Sequence, residues 1–187
     1  MNVAVCSYGA GNVRSVVAAF SRLGASAFVT ANPTDVVGAD LAVLPGVGSA
    51  ASAMAGLGER GLDDALRERV AEGRATLGIC LGLQLALDES EEDGGVAGLG
   101  ILSGSARRLA DGRVPRIGWA AVEPSGEAFY FAHSYAAETP AATARSEGLV
   151  AIAEAGSFLG VQFHPEKSGA AGARFLRGCL DRCLSRG

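Results

Sequence analysis

Cys80 stands between two glycines, in Gly78-Ile79-Cys80-Leu81-Gly82. An apolar run precedes it, and Leu81, Leu85 and Leu87 with Gln84 and Asp88 read as the start of a helix. Gly-x-Cys-x-Gly is the thiol version of the nucleophile elbow, in which the reactive residue occupies a sharp strand-to-helix turn. Such a residue is held in a strained backbone and is crowded by the residues two before and two after it. Glycine at both positions removes the clash. The free amides and dipole of a helix N-terminus favour the thiolate. A free cysteine is also commonly a small buried hydrophobe, and these residues alone leave the reactive and the structural reading level.

A thiol nucleophile needs a base. The chain has two histidines. His164 ends the apolar run Phe158-Leu159-Gly160-Val161-Gln162-Phe163, and Glu166 follows after Pro165. Proline fixes its own φ and holds the preceding residue extended, which could bring the carboxylate onto the imidazole. A carboxylate on one ring nitrogen sets the tautomer and leaves the other for the thiol. By itself, however, a His-x-Glu reads first as a plain turn. His133, in Phe131-Ala132-His133-Ser134-Tyr135, could also serve, and spacing does not choose between the two.

An acyl-transfer site also needs donors for an oxyanion. Pro45-Gly46-Val47-Gly48 follows the buried run Leu41–Leu44, and glycines there free backbone N–H groups to approach a ligand. The turn alone reads equally as a tight connection. Gly9-Ala10-Gly11 lacks the third glycine of a dinucleotide fingerprint and no Walker lysine follows, so phosphate binding is set aside.

The elements that must position these groups alternate. Strands are expected at 2–7, 27–30, 41–44 and before Cys80, with helices at 13–23, closed by Gly24, and at 57–71. Asn32-Pro33-Thr34-Asp35 is turn chemistry. This order predicts a parallel, doubly wound sheet with turns 8–12, 45–49 and 80–82 at its ligand-binding edge. The acidic stretch 89–95 is read as solvated surface that ends the elbow helix. Short strands are expected near 101–102, 106–109, 114, 117–122, 128–132 and 142–144, as antiparallel additions to the sheet. A helix from 170 to about 185 closes the chain.

Length and composition narrow the class. The 187 residues suit one domain, spanning 1–187. A net charge of −4 argues against nucleic acid or anionic membrane as partner. Arg107, Arg108, Arg113 and Arg116 form a local basic cluster, read as a solvated face. No apolar run approaches the length of a membrane span, and Met1-Asn2-Val3-Ala4-Val5 enters a strand with no basic leader. Four cysteines, at 6, 80, 179 and 183, follow neither a disulfide framework nor a zinc pattern, which suits a reducing cytoplasm. Cys179 and Cys183 share a helix face and are expected in the core. Nothing requires a metal or an organic cofactor.

Eight stretches together carry a resemblance. They are Tyr8-Gly-Ala-Gly-Asn-Val-Arg-Ser-Val16, Leu44-Pro-Gly-Val-Gly-Ser49, Leu77-Gly-Ile-Cys-Leu-Gly-Leu-Gln84, Ser90-Glu-Glu92, Gly98-Leu-Gly100, Val114-Pro-Arg-Ile-Gly-Trp119, Tyr130-Phe-Ala-His-Ser-Tyr135 and Gly160-Val-Gln-Phe-His-Pro-Glu-Lys-Ser168. In this order, over nearly the whole chain, they resemble the class I (triad) glutamine amidotransferases, specifically a branch that serves histidine biosynthesis. The resemblance implies a flavodoxin-like α/β fold, a parallel sheet flanked by helices with added antiparallel strands. It implies Cys80 as nucleophile, His164 as base and acid, and Glu166 as its orienting carboxylate. Oxyanion donors would be the amides of Leu81 and of the Gly46-Val47-Gly48 turn. Gln84, Glu92, His133, Ser134 and Tyr135 would hold the substrate glutamine. Asn12, Arg14, Trp119 and Lys167 would face a (β/α)8 cyclase/synthase subunit, the expected heterodimer partner. Ala120, Ala136 and Ser103 depart from the family pattern, at positions outside the triad. The alternatives are a different synthase partner or a catalytically silent regulatory subunit.

Overall fold

Val3–Cys6, Leu41–Leu44 and Thr76–Ile79 are buried at every position, as strands covered on both faces must be. The computed structural model describes residues 1–9, 13–110 and 114–184. In chain order the elements are β1 (Asn2–Cys6), α1 (Val13–Arg22), β2 (Ser26–Thr30), α2 (Pro33–Gly38), β3 (Leu41–Leu44), α3 (Ala50–Gly58), α4 (Leu62–Ala71), β4 (Thr76–Ile79), α5 (Leu81–Leu85), β5 (Glu89–Ser90), β6 (Val96–Ala97), β7 (Ser105–Arg108), β8 (Arg116–Val122), β9 (Glu127–His133), β10 (Tyr135–Glu138), β11 (Ala142–Ser146), β12 (Leu149–Ala155), β13 (Phe158–Val161) and α6 (Gly169–Leu184).

The central sheet has seven strands in the order β11-β12-β13-β4-β3-β1-β2. The run from β13 to β2 is parallel, and β12 and β11 add antiparallel at one edge. Side chains alternate between two cores. Val3, Val5, Val43, Leu77 and Ile79 meet α1 and α6 through Phe20, Leu176 and Leu180. Cys6, Ala42 and Leu44 meet α3, α4 and α5 through Leu57, Leu66, Leu81 and Leu85. Cys179 packs in the first core, as its helix position predicts. No helix among the described residues is long and apolar enough to cross a membrane.

The first half follows the expected alternation with two corrections. Asn32–Asp35 is not a free turn: Asn32 caps α2 by accepting from Thr34 N at 3.0 Å, with Pro33 at the first helical position. The helix expected at 57–71 is two, because Gly61 adopts φ +65° between α3 and α4. The helix α3 escapes a reading by charge pattern, since it is mostly alanine and glycine.

The second half departs further. The elbow helix stops at Leu85 and not in the acidic stretch. The loop 98–102 takes its continuation carbonyls: Leu99 N donates to Leu85 O, Gly100 N to Leu87 O, and Ile101 and Leu102 N to Ala86 O. Residues 101–102 are therefore not a strand, and neither is Val114, which lies in a bend before β8. The acidic stretch contributes β5 and then folds back, so that Glu92 and Asp93 accept from Ala50 N and Ala51 N at the start of α3. Most of the expected additional strands do not join the parallel sheet. β7 and β10 pair with β5 and β6 in a four-stranded sheet, and β8 and β9 form a separate ribbon. The apolar strand β12 and the short β10 were not anticipated. Within the basic cluster, Arg107 pairs with Glu89 at the surface. Arg116 does not belong to a solvated face: it stacks 4.3 Å over Phe131 and pairs with Glu147 at 2.8 Å. Arg113 lies outside the described residues.

Candidate active site

Cys80 alone makes the turn between β4 and α5, at φ +52° and ψ −106°. A non-glycine residue held there stores on the order of 1–3 kcal/mol of strain. The turn is clamped from three sides. Cys80 N donates to Val161 O at 2.7 Å, and Cys80 O accepts from Leu83 N and Gln84 N. A Cβ on Gly82 would lie 2.0 Å from the Leu44 carbonyl oxygen, and one on Gly78 would lie 2.7 Å from the Phe158 ring. Gly46 abuts the same elbow, where a Cβ would meet Leu81 Cβ at 2.4 Å. The close approach predicted for the glycines flanking the thiol is present, and it extends to the turn after β3.

The parallel register sets Gly160 beside Gly78 and Val161 beside Ile79. The chain leaving β13 therefore delivers His164 next to Cys80. His164 is extended, as Pro165 requires, and its N–H donates to Tyr130 O at 2.8 Å. The Ser168 hydroxyl donates to His164 O at 2.6 Å and accepts from Tyr130 N at 3.0 Å, pinning the segment. Pro165–Lys167 form a single 3-10 turn that swings the Glu166 carboxylate back. His164 Nδ1–H donates to Glu166 Oε1 at 3.0 Å, and both side chains are 3% exposed. Glu166 Oε2 has no hydrogen-bond partner among the described residues, so the His164 bond is the carboxylate's one hydrogen bond there. Cys80 acts on the His164 ring electrostatically, raising its pKa together with Glu166, and does not figure among the groups that shift His133. Of the two candidate bases, His164 is the one coupled to the thiol.

Electrostatics separate the two histidines. Burial pushes His164 down, but hydrogen bonds to Cys80 and Glu166 and their charges outweigh it and raise the pKa to about 9. His133 is lowered to about 4 by burial first, then by the Arg116 and His164 charges, against the pull of its Tyr135 bond. His133 Nδ1–H donates to Tyr135 O at 2.9 Å, so its tautomer is set. Folding linkage follows with opposite signs. The stability His164 contributes is complete below about pH 6.5 and is lost as pH rises through 9. The neutral state of His133 costs stability as pH falls from 6.5 to 4. Each limb amounts to about 3 kcal/mol at most. In denaturation at stepped pH, His164→Asn should flatten the alkaline limb and His133→Asn the acid limb. Unchanged limbs would refute these assignments.

The sulfur opens into a cleft of about 300 Å³ lined by Gly46, Val47, Gly48, Leu81, Gln84, Glu92, His133, Ser134 and Tyr135, with Pro115, Ile117 and Ala132. Every residue anticipated for the oxyanion turn or for glutamine lines this one cleft. No hydrogen bond among the described residues engages the amides of Gly46, Val47, Gly48 or Leu81. Gln84 is tethered by its Nε2 to Tyr135 O at 2.8 Å. Glu92 is partly committed elsewhere, since its Oε2 accepts from Ala50 N.

Ile117, which lines the cleft, is 63% exposed, and Trp119, two residues further along β8, is 59% exposed. Trp119 packs edge-on to Tyr130, over whose ring Lys167 Nζ lies at 6.0 Å. Arg14 is exposed on α1. Asn12 lies outside the described residues. Two neighbours of the site were missed: Gln162, whose Nε2 donates to Cys80 Sγ at 3.5 Å, and Arg116, whose Nη1 lies 3.5 Å from His133 Nε2. The one signal for Gln162 was an amide within an apolar strand, two residues before His164.

A doubly wound sheet carrying a thiol, an imidazole and a carboxylate at its strand ends defines a class, and comparison agrees. The glutamine amidotransferase class-I family matches residues 4–183, and the chain belongs to it. A crystal structure of a glutamine amidotransferase superimposes with a TM-score of 0.79 at 26% identity, covering 97% of this chain and 98% of that one. Within the family the chain falls in the branch of imidazole glycerol phosphate synthase subunit HisH. It is 43% identical to the HisH of Symbiobacterium thermophilum, over 93% of this chain and 91% of that protein. It is also 43% identical to the HisH of Methanothermobacter thermautotrophicus, over 96% and 98%.

Proposed function

We propose that the chain is the glutaminase subunit of imidazole glycerol phosphate synthase, releasing ammonia from glutamine at Cys80 for a (β/α)8 cyclase subunit in histidine biosynthesis. The observation that carries the chemistry is His164, hydrogen-bonded to the buried Glu166 carboxylate and electrostatically coupled to Cys80. The Cys80 thiolate attacks the side-chain amide carbon of glutamine. The oxyanion accepts from the amides of Leu81 and the Gly46-Val47-Gly48 turn, where losing one donor costs on the order of a hundredfold in rate. His164, held as imidazolium by Glu166, protonates the departing nitrogen as the C–N bond breaks. The thioester remains, and His164 then takes a proton from water, which attacks the same carbon. Glutamate leaves and the sulfur is restored. Gln84, Glu92, His133, Ser134 and Tyr135 orient the substrate within the cleft.

The exposed apolar pair Ile117 and Trp119 beside the cleft mouth, with Arg14 and Lys167, supports a docking face for the cyclase. Ammonia released there would pass to the partner without entering solvent. With amide-labelled [15N]glutamine and excess unlabelled ammonium, the cyclase product of the complex should retain most of the label. Dilution of the label to the composition of the bulk ammonium pool would overturn the sheltered transfer.

A further inference from the structure

Gln162 is completely buried, in the bend just after β13, between the apolar residues Val161 and Phe163. Burial alone would favour an apolar side chain there, because an amide out of water is costly unless its groups are bonded. Both ends of this amide are bonded. Its Oε1 accepts from Gln84 Nε2 at 3.1 Å, and its Nε2 donates to Cys80 Sγ at 3.5 Å. The direction of the chain is dictated at its far end. The Tyr135 carbonyl can only accept, so Gln84 must present its NH2 to it, at 2.8 Å. The second hydrogen of that NH2 faces Gln162, which must answer with oxygen, and the Gln162 NH2 is thereby turned to the sulfur. With both Gln84 hydrogens used, the Gln84 amide has only its oxygen to offer an N–H of the substrate.

We infer that Gln162 is a positioning residue that aims the Cys80 sulfur and the Gln84 amide at one glutamine, through an amide chain anchored on the Tyr135 carbonyl. The inference rests on the proposed glutaminase reading. The hydrogen bond that the sulfur accepts from Gln162 Nε2 strengthens when the sulfur is anionic. It therefore holds the attacking form pointed into the cleft and weakens once the thioester has formed. Gln84 acts at the same time as an acceptor fixed in rotation.

The test uses the complex with the cyclase subunit and two variants. Gln162→Met keeps the volume and loses both bonds. The glutamine-dependent kcat should fall about 10- to 100-fold, the loss expected for one hydrogen bond to a charged group, and the KM for glutamine should rise. Turnover with ammonium salts and the melting temperature should not change. Gln162→Glu carries a donor and an acceptor only while its carboxyl is protonated. Its kcat should approach that of the unsubstituted complex near pH 6 and fall towards the Met variant near pH 9. Three results would each overturn the inference: Gln162→Met within twofold of the unsubstituted complex, Gln162→Glu as inactive as Met at both pH values, or loss of ammonium-driven turnover and melting temperature in both variants, which would mean packing alone. A Cys80 variant that still hydrolysed glutamine would instead refute the glutaminase reading itself.

Discussion

Cys80→Ala in the complex should lose glutamine-driven synthesis by on the order of 10⁴-fold or more, the scale seen when the nucleophile of a triad is removed. Synthesis supplied with ammonium salts should persist unchanged. Alanine keeps the Cβ and the elbow, and no cleft residue other than Cys80 changes, so glutamine should still bind with little loss of affinity. What disappears is the atom that becomes acylated, and the His164–Glu166 pair is left with no thiol to activate. A glutamine analogue bearing a reactive carbon should add its mass to the unsubstituted chain at Cys80 and not to the variant. Persistence of glutamine turnover in the variant would exclude Cys80 as nucleophile. Loss of both activities would mean that the variant no longer supports the cyclase at all.

The second large effect falls on stability and far from the sulfur. Arg69 is completely buried within α4. Its guanidinium donates to the carbonyls of Val36, Val37, Ala39, Asp40 and Ala75 at 2.7–3.1 Å, with no carboxylate among these partners. These oxygens lie at the end of α2, on the way into β3 and at the entry to β4. A single side chain thus closes the bottom of the parallel sheet by supplying N–H groups that the backbone lacks there. Burial lowers its pKa to about 10, which leaves it charged at neutral pH. Arg69→Met would fill the space and abandon every acceptor. The expected cost is about 3–5 kcal/mol, the range for breaking a buried charged network, read by urea denaturation. Arg69→Lys, with fewer donors and no fork, should fall between. A loss below about 1 kcal/mol for Met would show that the carbonyls find other partners.

Arg69 also marks where a reading from sequence stops. In the one-dimensional pattern it belongs to the charged face of a helix, and charged faces are ordinarily solvated. Its partners come from α2, β3 and β4, so no local pattern announces them. Glu92 is similar. As part of an acidic run it reads as surface, yet it accepts from the first turn of α3 because the loop 98–102 turns the chain back after Leu87. The strands β7 to β9 were assigned to the wrong sheet for the same reason: alternation marks a strand but does not say which sheet it joins.

What the sequence determined by itself is the chemistry that is local. Apolar runs at 41–44 and 76–79 can only be strands buried on both faces. A cysteine between glycines must make the sharp turn, and a proline after His164 must hold it extended. These follow from short-range sterics and from the hydrophobic period. Tertiary structure alone decided the rest. The register of β13 on β4 chose His164 over His133 for the thiol, the packing of Gly46 on the elbow set free amides beside the sulfur, and the buried amides of Gln84 and Gln162 were joined. Each depends on contacts between segments distant in sequence, whose geometry is fixed only when the sheet has closed its hydrogen bonds and the cores have packed.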